Sequence, residues 1–242
     1  MMLAVDIGNT NIVLGIFKGN KLISKQRILS DRSSKVKVSG NIDAAIISSV
    51  VPGLNLIVSK KIRNKTGVKP VLLNWKMLKG IKIAVRKKEQ IGIDRLVNAI
   101  AAKKLHRWPL IIIDFGTATT FCAVDKRGSY IGGAITSGLA ISRDILYERT
   151  AKLPKIDIGK PKAVIGRDTV EAMKSGLYYG YVDMVEGMIK RFKAEIGKNA
   201  KVIATGGLSG IIASGTDKID VVDPDLTLKG LNIIYNEIRD GR

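Results

Sequence analysis

Cysteine and histidine occur once each, as Cys122 and His106. One thiol forms no internal disulfide, so a reducing compartment is expected. One thiol with one imidazole also excludes a zinc site of ordinary composition. Any metal must be held by carboxylates, substrate phosphates and water, which suits magnesium or a monovalent cation. Acids are scarce as well: 21 Asp and Glu face 41 Lys and Arg, for a net charge of +20. Such a field attracts polyanions. The basic residues are scattered, however, and the pairs Lys60-Lys61, Lys87-Lys88 and Lys103-Lys104 lack interleaved aromatics for base stacking. The excess is read as solvated surface, and nucleic acid is not expected as a partner. No apolar run is long enough to span a bilayer. The N-terminus enters a strand at once, without a signal peptide. A soluble, cytoplasmic protein with no membrane partner is expected. The fingerprints G-x-x-x-x-G-K-[ST] and G-x-G-x-x-G are both missing.

What is present is a device used twice. Leu3-Ala4-Val5 leads into Asp6-Ile7-Gly8-Asn9-Thr10-Asn11, followed by the apolar Ile12 to Phe17. Leu110-Ile111-Ile112-Ile113 leads into Asp114-Phe115-Gly116-Thr117-Ala118-Thr119-Thr120, followed by Phe121 to Val124. In each, a buried strand delivers an aspartate and a glycine into a turn. Glycine lets backbone approach a ligand closely, and successive amides in such a turn favour an anion. Each copy is trailed by a hairpin signal, Lys18-Gly19-Asn20-Lys21 and Asp125-Lys126-Arg127-Gly128. A third glycine turn, Thr205-Gly206-Gly207, follows the strand Lys201 to Ala204. The repetition suggests a duplicated fold with a phosphate site in the cleft between its halves.

Element by element, strands are expected over 3–7, 11–18 and 21–29, then an ordered polar loop over 30–41 and a buried strand over 44–47 that ends at Ser48-Ser49. A helix opens at Pro52 with Leu54, Ile57, Val58 and Ile62 on one face. Short strands at 71–73 and 81–85 precede a helix over 93–105 with a stripe of Leu96, Val97, Ile100, Ala101 and Leu105. The second half repeats the plan: strands at 110–114, 119–125 and 129–135, a helix over 139–147, and a Pro- and Gly-bearing excursion over 150–166. A long helix from Asp168 to Ile196, a strand at 201–204, a strand at 219–222 and a helix over 226–238 complete it. The fold class is α/β: two lobes, 1–108 and 109–242, the last helix (225–238) packing back on the first.

With these residues in view, the chain resembles the acetate and sugar kinase, Hsc70 and actin superfamily, whose duplicated ribonuclease H-like lobes enclose a nucleotide. Asp6 to Thr10, Asp114 to Thr119 and Thr205-Gly206-Gly207 look like its two phosphate motifs and its adenosine motif. Within it the chain is similar to type III pantothenate kinases. Gly92-Ile93-Asp94-Arg95 with Asn98 looks like that family's Gly-x-Asp-Arg-x-x-Asn segment, and Asp168 to Gly176 like the helix that lends a threonine to a partner subunit.

The resemblance implies ATP-dependent phosphorylation of pantothenate to 4'-phosphopantothenate, towards coenzyme A, by a homodimer. Asp94 would be the general base and Arg95 would hold the pantothenate carboxylate. Gly92, Ile93 and Thr169 would complete the substrate site. Asp6, Ile7, Gly8, Asn9, Thr10, Asn11, Ile12, Val13 and Thr117 would bind ATP. Asp6 and Asp114 would lie around the γ-phosphate, one of them orienting hydrated Mg2+, and Asp114 would hold a monovalent cation (K+ or NH4+).

Read from the residues alone, Asp94 is a helix N-cap, and Asp6 and Asp114 satisfy the amides of the next turn. Cys122 reads as core, and Tyr178, Tyr179 and Tyr181 as core or as a dimer seam, the seam being preferred given the implied dimer. The chain departs from the family pattern at Val85, Lys87-Lys88 and Ser137, where a tyrosine, Asn-Pro and a proline are usual. An altered relative serving as a transcriptional accessory factor, or a kinase for another small hydroxy acid, are the alternatives.

Overall fold

The computed structural model describes residues 1–241. The chain divides into two compact units, Met1–Leu105 with the chain from Asp225 onward, and His106–Pro224.

In the first unit, β1 (Met2–Ile7), β2 (Asn11–Lys18) and β3 (Lys21–Leu29) form an antiparallel meander. β4 (Ala44–Ser49) and β5 (Val71–Leu72) then add in parallel on the other side of β1, giving the order β3-β2-β1-β4-β5. Between β4 and β5 runs α1 (Pro52–Thr66), with Pro at its start, where a missing N–H costs nothing. After β5 come β6 (Lys82–Ile83) and α2 (Ile93–Leu105). Strand periodicity sorts the sheet's two faces. Leu3, Val5, Ile7, Ala45 and Ile47 pack on Val58 and Ile62 of α1. Met2, Ala4, Asp6, Ile46 and Ser48 therefore point to the opposite face, where α2 and the last helix of the chain, over 226–239, lie against β1 and β4.

The second unit repeats this order with its own residues. β7 (Leu110–Phe115), β8 (Ala118–Val124) and β9 (Ser129–Ser137) form the meander, and α3 (Leu139–Glu148) and α4 (Thr169–Ile196) come next. β10 (Lys201–Thr205) pairs in parallel with β7, and β11 (Val221–Val222) with β10, on either side of α5 (Ser209–Ala213). α6 (Leu226–Arg239) belongs to the first unit. Within the second unit the order reads β11-β10-β7-β8-β9, the first unit's arrangement again. Both are ribonuclease H-like, so the duplicated α/β fold stands. The copies differ between third and fourth strands: α3 and α4 fill that place in the second unit, and a short 3-10 helix at Ser30–Lys35 fills it in the first.

The second core gathers Ile111, Ile113 and Phe115 of β7, Val202 and Ala204 of β10, and Tyr178, Tyr181, Val182, Val185 and Ile189 of α4. Tyr178 and Tyr181 are thus core rather than seam. Tyr178 and Tyr181 are buried, and Tyr179 packs edge-on against Tyr178. Large rings satisfy the core if their hydroxyls find partners. Tyr178 Oη donates to the Ile211 carbonyl at 3.3 Å, and Tyr181 Oη to the Ser137 carbonyl at 3.3 Å. Cys122 is buried, as expected.

Three expectations of detail fail. The strand expected over 81–85 is two residues long, and the polar stretch from Arg86 to Gln90 that follows it is exposed. Ile57 is 48% exposed and Leu105 47% exposed, so each helix buries a narrower stripe than its apolar residues would permit.

Candidate functional site

The turn after β1 is fixed by backbone and by one serine. Gly8 N–H donates to the Asn11 carbonyl at 2.9 Å, closing the turn. Ser30 then fastens it: its N–H donates to the Thr10 carbonyl at 2.9 Å and its hydroxyl to the Gly8 carbonyl at 2.7 Å. Ser30 is buried, although in sequence it belongs to a polar loop with no sign of this role. Asn9 and Thr10 are exposed at the tip, and Asp6, Gly8 and Asn11 are half-buried. Ile7 and Ile12 are fully buried in the core, and so offer a ligand only their backbone.

The turn after β7 is enclosed more tightly. Gly138 N–H donates to the Thr117 carbonyl at 3.1 Å. A Cβ on Gly138 would stand 2.2 Å from the Thr117 oxygen and 2.5 Å from that of Gly116. Gly206, at φ +90, closes from another side: a Cβ there would lie 2.5 Å from Asp114 Oδ1 and 2.7 Å from the Phe115 backbone. Only glycine meets both the positive φ and the close approach. Three expected elements, Asp114, Thr117 and the Gly206-Gly207 turn, are therefore brought together within this unit. Thr119, next along, is buried and hydrogen-bonds Tyr181, tying β8 to α4.

Asp94 lies in the first turn of α2, one position inside its start, rather than at the N-cap. Its Oδ1 accepts the Arg95 N–H at 2.8 Å, and a Cβ on Gly92 would fall 2.5 Å from that oxygen. Glycine at 92 thus leaves the space into which the carboxylate folds back. Burial pushes the Asp94 carboxyl above the ordinary aspartate range; the Arg95 N–H bond and the Arg95 charge pull the other way without cancelling it. A half-buried carboxylate with raised proton affinity is suited to accepting a proton. Asn98, one turn on, is buried and its Oδ1 accepts the Thr227 hydroxyl at 2.7 Å. That bond joins α2 to the start of α6, so Asn98 holds the helix in place.

Thr169 opens α4 in the second unit. Asp168 caps that helix, its Oδ1 accepting the Glu171 N–H at 2.8 Å, while Glu171 Oε2 accepts the Arg167 N–H at 2.9 Å. Thr169 is exposed beside a groove of about 520 Å³ lined by Leu146, Leu153, Ala172, Met173 and Leu177. Among the described residues no group of three or more His, Cys, Asp or Glu side chains could hold a metal ion. No described helix is long and apolar enough to cross a membrane.

Two ribonuclease H-like units, each with an acid-and-glycine turn after its first strand, define the duplicated fold of the actin-like ATPase class. The sequence profile of type III pantothenate kinase matches residues 2–191. The chain is 43% identical over 255 residues to the type III pantothenate kinase of Geotalea uraniireducens, covering 99% of this chain and 100% of that one. It is 43% identical over 250 residues to that of Brevibacillus brevis, covering 97% and 98%. Among solved structures, a Campylobacter jejuni protein described as a Baf family transcriptional activator shares the fold at TM-score 0.66 and 20% identity, over 98% of this chain and 99% of that one. The chain belongs to the type III pantothenate kinase family.

Proposed function

We propose that the chain transfers the γ-phosphoryl group of ATP to the primary hydroxyl of pantothenate, with Asp94 as general base. The raised proton affinity of Asp94, set in the space that Gly92 leaves open, is the observation that carries this reading. As the hydroxyl oxygen bonds to the γ-phosphorus, the bond from that phosphorus to the bridging oxygen of ADP breaks, and the hydroxyl proton passes to an Asp94 oxygen. The transition state is loose, so the base mainly orients the nucleophile. Arg95 would hold the pantothenate carboxylate, its planar fork matching two oxygens. Gly92 and Ile93 would shape the wall beside them.

Amides of residues 8–11 and 116–119 would receive the phosphates of ATP, with Asp6, Ile7, Ile12, Val13 and Thr117 completing the donor site. The reaction of a kinase in this family uses ATP with a divalent cation. With single carboxylates rather than a ligand cluster, the residues fit a magnesium ion that keeps waters and takes further oxygens from ATP. Asp6 would orient that ion, which when bound neutralises charge on the transferring phosphate. Asp114 would hold K+ or NH4+.

We further propose a homodimer in which Thr169 reaches the partner's substrate site. Close to it in the chain Val164, Ile165 and Val170 are exposed, Ile165 by 83%, apolar side chains that a second copy would cover. The test is a coupled ADP-release assay with pantothenate, with and without potassium. Pantothenate-dependent release that rises with potassium is expected. Release only with another hydroxy acid would reassign the substrate, and no release with any would remove the proposal.

A further inference from the structure

Among the described residues, two buried hydroxyls have no hydrogen-bond partner: Ser48 Oγ and Thr205 Oγ1. Ser48 is 0% exposed and Thr205 1%. Burying a hydroxyl without a partner is unfavourable, and such groups are scarce in folded proteins. These two occupy equivalent places. Ser48 is the last residue but one of β4, in parallel register with Asp6 of β1; Thr205 ends β10, in parallel register with Asp114 of β7. Residues in register share a sheet face with backbones about 4.8 Å apart. Each hydroxyl is therefore set beside the acid that precedes a turn, on the same face as its carboxylate.

The neighbouring backbone repeats too. Just past Ser48, Val50 N–H donates to the Ile7 carbonyl at 3.0 Å; just past Thr205, Leu208 N–H donates to the Phe115 carbonyl at 3.4 Å. Both strand ends are thus tied to the residue after the acid, and the hydroxyl is the polar atom left over. Ser49, immediately after Ser48, is by contrast used locally, its Oγ accepting the Val51 N–H at 3.1 Å.

We infer that Ser48 and Thr205 are a matched pair of positioning residues, one in each unit, whose hydroxyls bond to the oxygen shell of the cation and phosphates that Asp6 and Asp114 attract. A hydroxyl both donates and accepts, so it serves a phosphate oxygen or a cation's water equally. In the ligand-free chain it waits without a partner; in the loaded chain it fixes the orientation of the carboxylate beside it. This rests on the kinase reading above and adds two side chains to it.

The test uses the whole chain and the non-hydrolysable nucleotide AMP-PNP, with magnesium and potassium added separately and together, read by titration calorimetry and thermal unfolding. Ser48→Ala and Thr205→Val remove the hydroxyls; Thr205→Ser keeps one. Ligand-free Ser48→Ala and Thr205→Val should melt at or above the wild-type temperature, because no hydrogen bond is lost. Their affinity for the magnesium complex should fall about fivefold or more, the worth of one hydrogen bond, and the nucleotide-induced rise in melting temperature should shrink. Thr205→Ser should bind as wild type does. Because the potassium arm is run alone, loss of potassium sensitivity in Thr205→Val alone would assign that hydroxyl to the monovalent cation, still in support. Wild-type affinity in both hydroxyl-free variants would overturn the pairing, as would ligand-free destabilisation of Thr205→Val that Thr205→Ser repairs with no change in binding. If the wild-type chain itself bound no nucleotide, the kinase reading and the pairing would fall together, whereas binding retained in every variant would remove the pairing alone.

Discussion

In the first unit the turn after Asp6 is fastened from one side, by Ser30, with Asn9 and Thr10 exposed at its tip. In the second the turn after Asp114 is enclosed by Gly138 and Gly206, each so close that a methyl group would meet backbone or carboxylate within 2.5 Å. The strand order is the same and the acid sits at the same place, so the difference comes from the elements next in the chain after each meander. In the first unit a short 3-10 helix supplies Ser30 as a brace of the first turn. In the second unit β9 runs straight into α3 through Gly138, and the turn after β10 adds Gly206, so two more pieces of chain are pressed on the turn. Duplicated topology fixes where an acid will stand; the inserted helices decide how rigidly its turn is held.

The sharpest way to break the contrast is Gly138→Ala. With two carbonyl oxygens at 2.2 and 2.5 Å from the new methyl, the turn must shift, at a cost of roughly 3 kcal/mol in urea unfolding. Gly206→Ala should come next at roughly 2 kcal/mol, since the positive φ and the Phe115 backbone both oppose it. Ser30→Ala should cost about 1 kcal/mol, one hydrogen bond to the Gly8 carbonyl. Gly8→Ala should cost less still, because its methyl would meet the Asn11 carbonyl at 3.1 Å. A stability loss for Gly8→Ala equal to that for Gly138→Ala would erase the distinction between an open and an enclosed turn.

The strands and long helices were legible because their apolar periods are strong: α2 runs over 93–105 as expected, and α4 starts at Thr169, one residue after the expected start at Asp168. The two acid turns were legible because strand, acid and glycine are contiguous in sequence. What was not legible depends on register or on distant chain. Ser30 reaches back across β2 and β3, Gly138 and Gly206 meet the second turn from later elements, and Ser48 and Thr205 matter only beside their in-register acids. The tyrosines of α4 carry no local sign of which face is covered, and the buried face is theirs. Asp94 as a cap failed by two positions, since the helix begins at Ile93 and its cap position is Gly92.

Asp94 itself separates stability from activity, and the sign comes from its raised proton affinity. A carboxyl whose folded-state pKa lies above its unfolded value favours folding fully below the unfolded value, and loses that contribution as pH rises through the folded one. Above the folded-state value the wild-type chain therefore carries an ionised, partly desolvated carboxylate that Asp94→Asn removes. Above that value the variant should be as stable as wild type or more so, with the gap closing as the pH is lowered into the window between the folded and unfolded values.

The most direct measurement is pantothenate-dependent ADP release by wild type and Asp94→Asn across pH, beside their melting curves. A folded variant with turnover reduced by about a hundredfold or more, and a wild-type rate that rises to a plateau as Asp94 loses its proton, is the predicted result. Turnover in Asp94→Asn within about threefold of wild type, far short of what losing a general base costs, would contradict it.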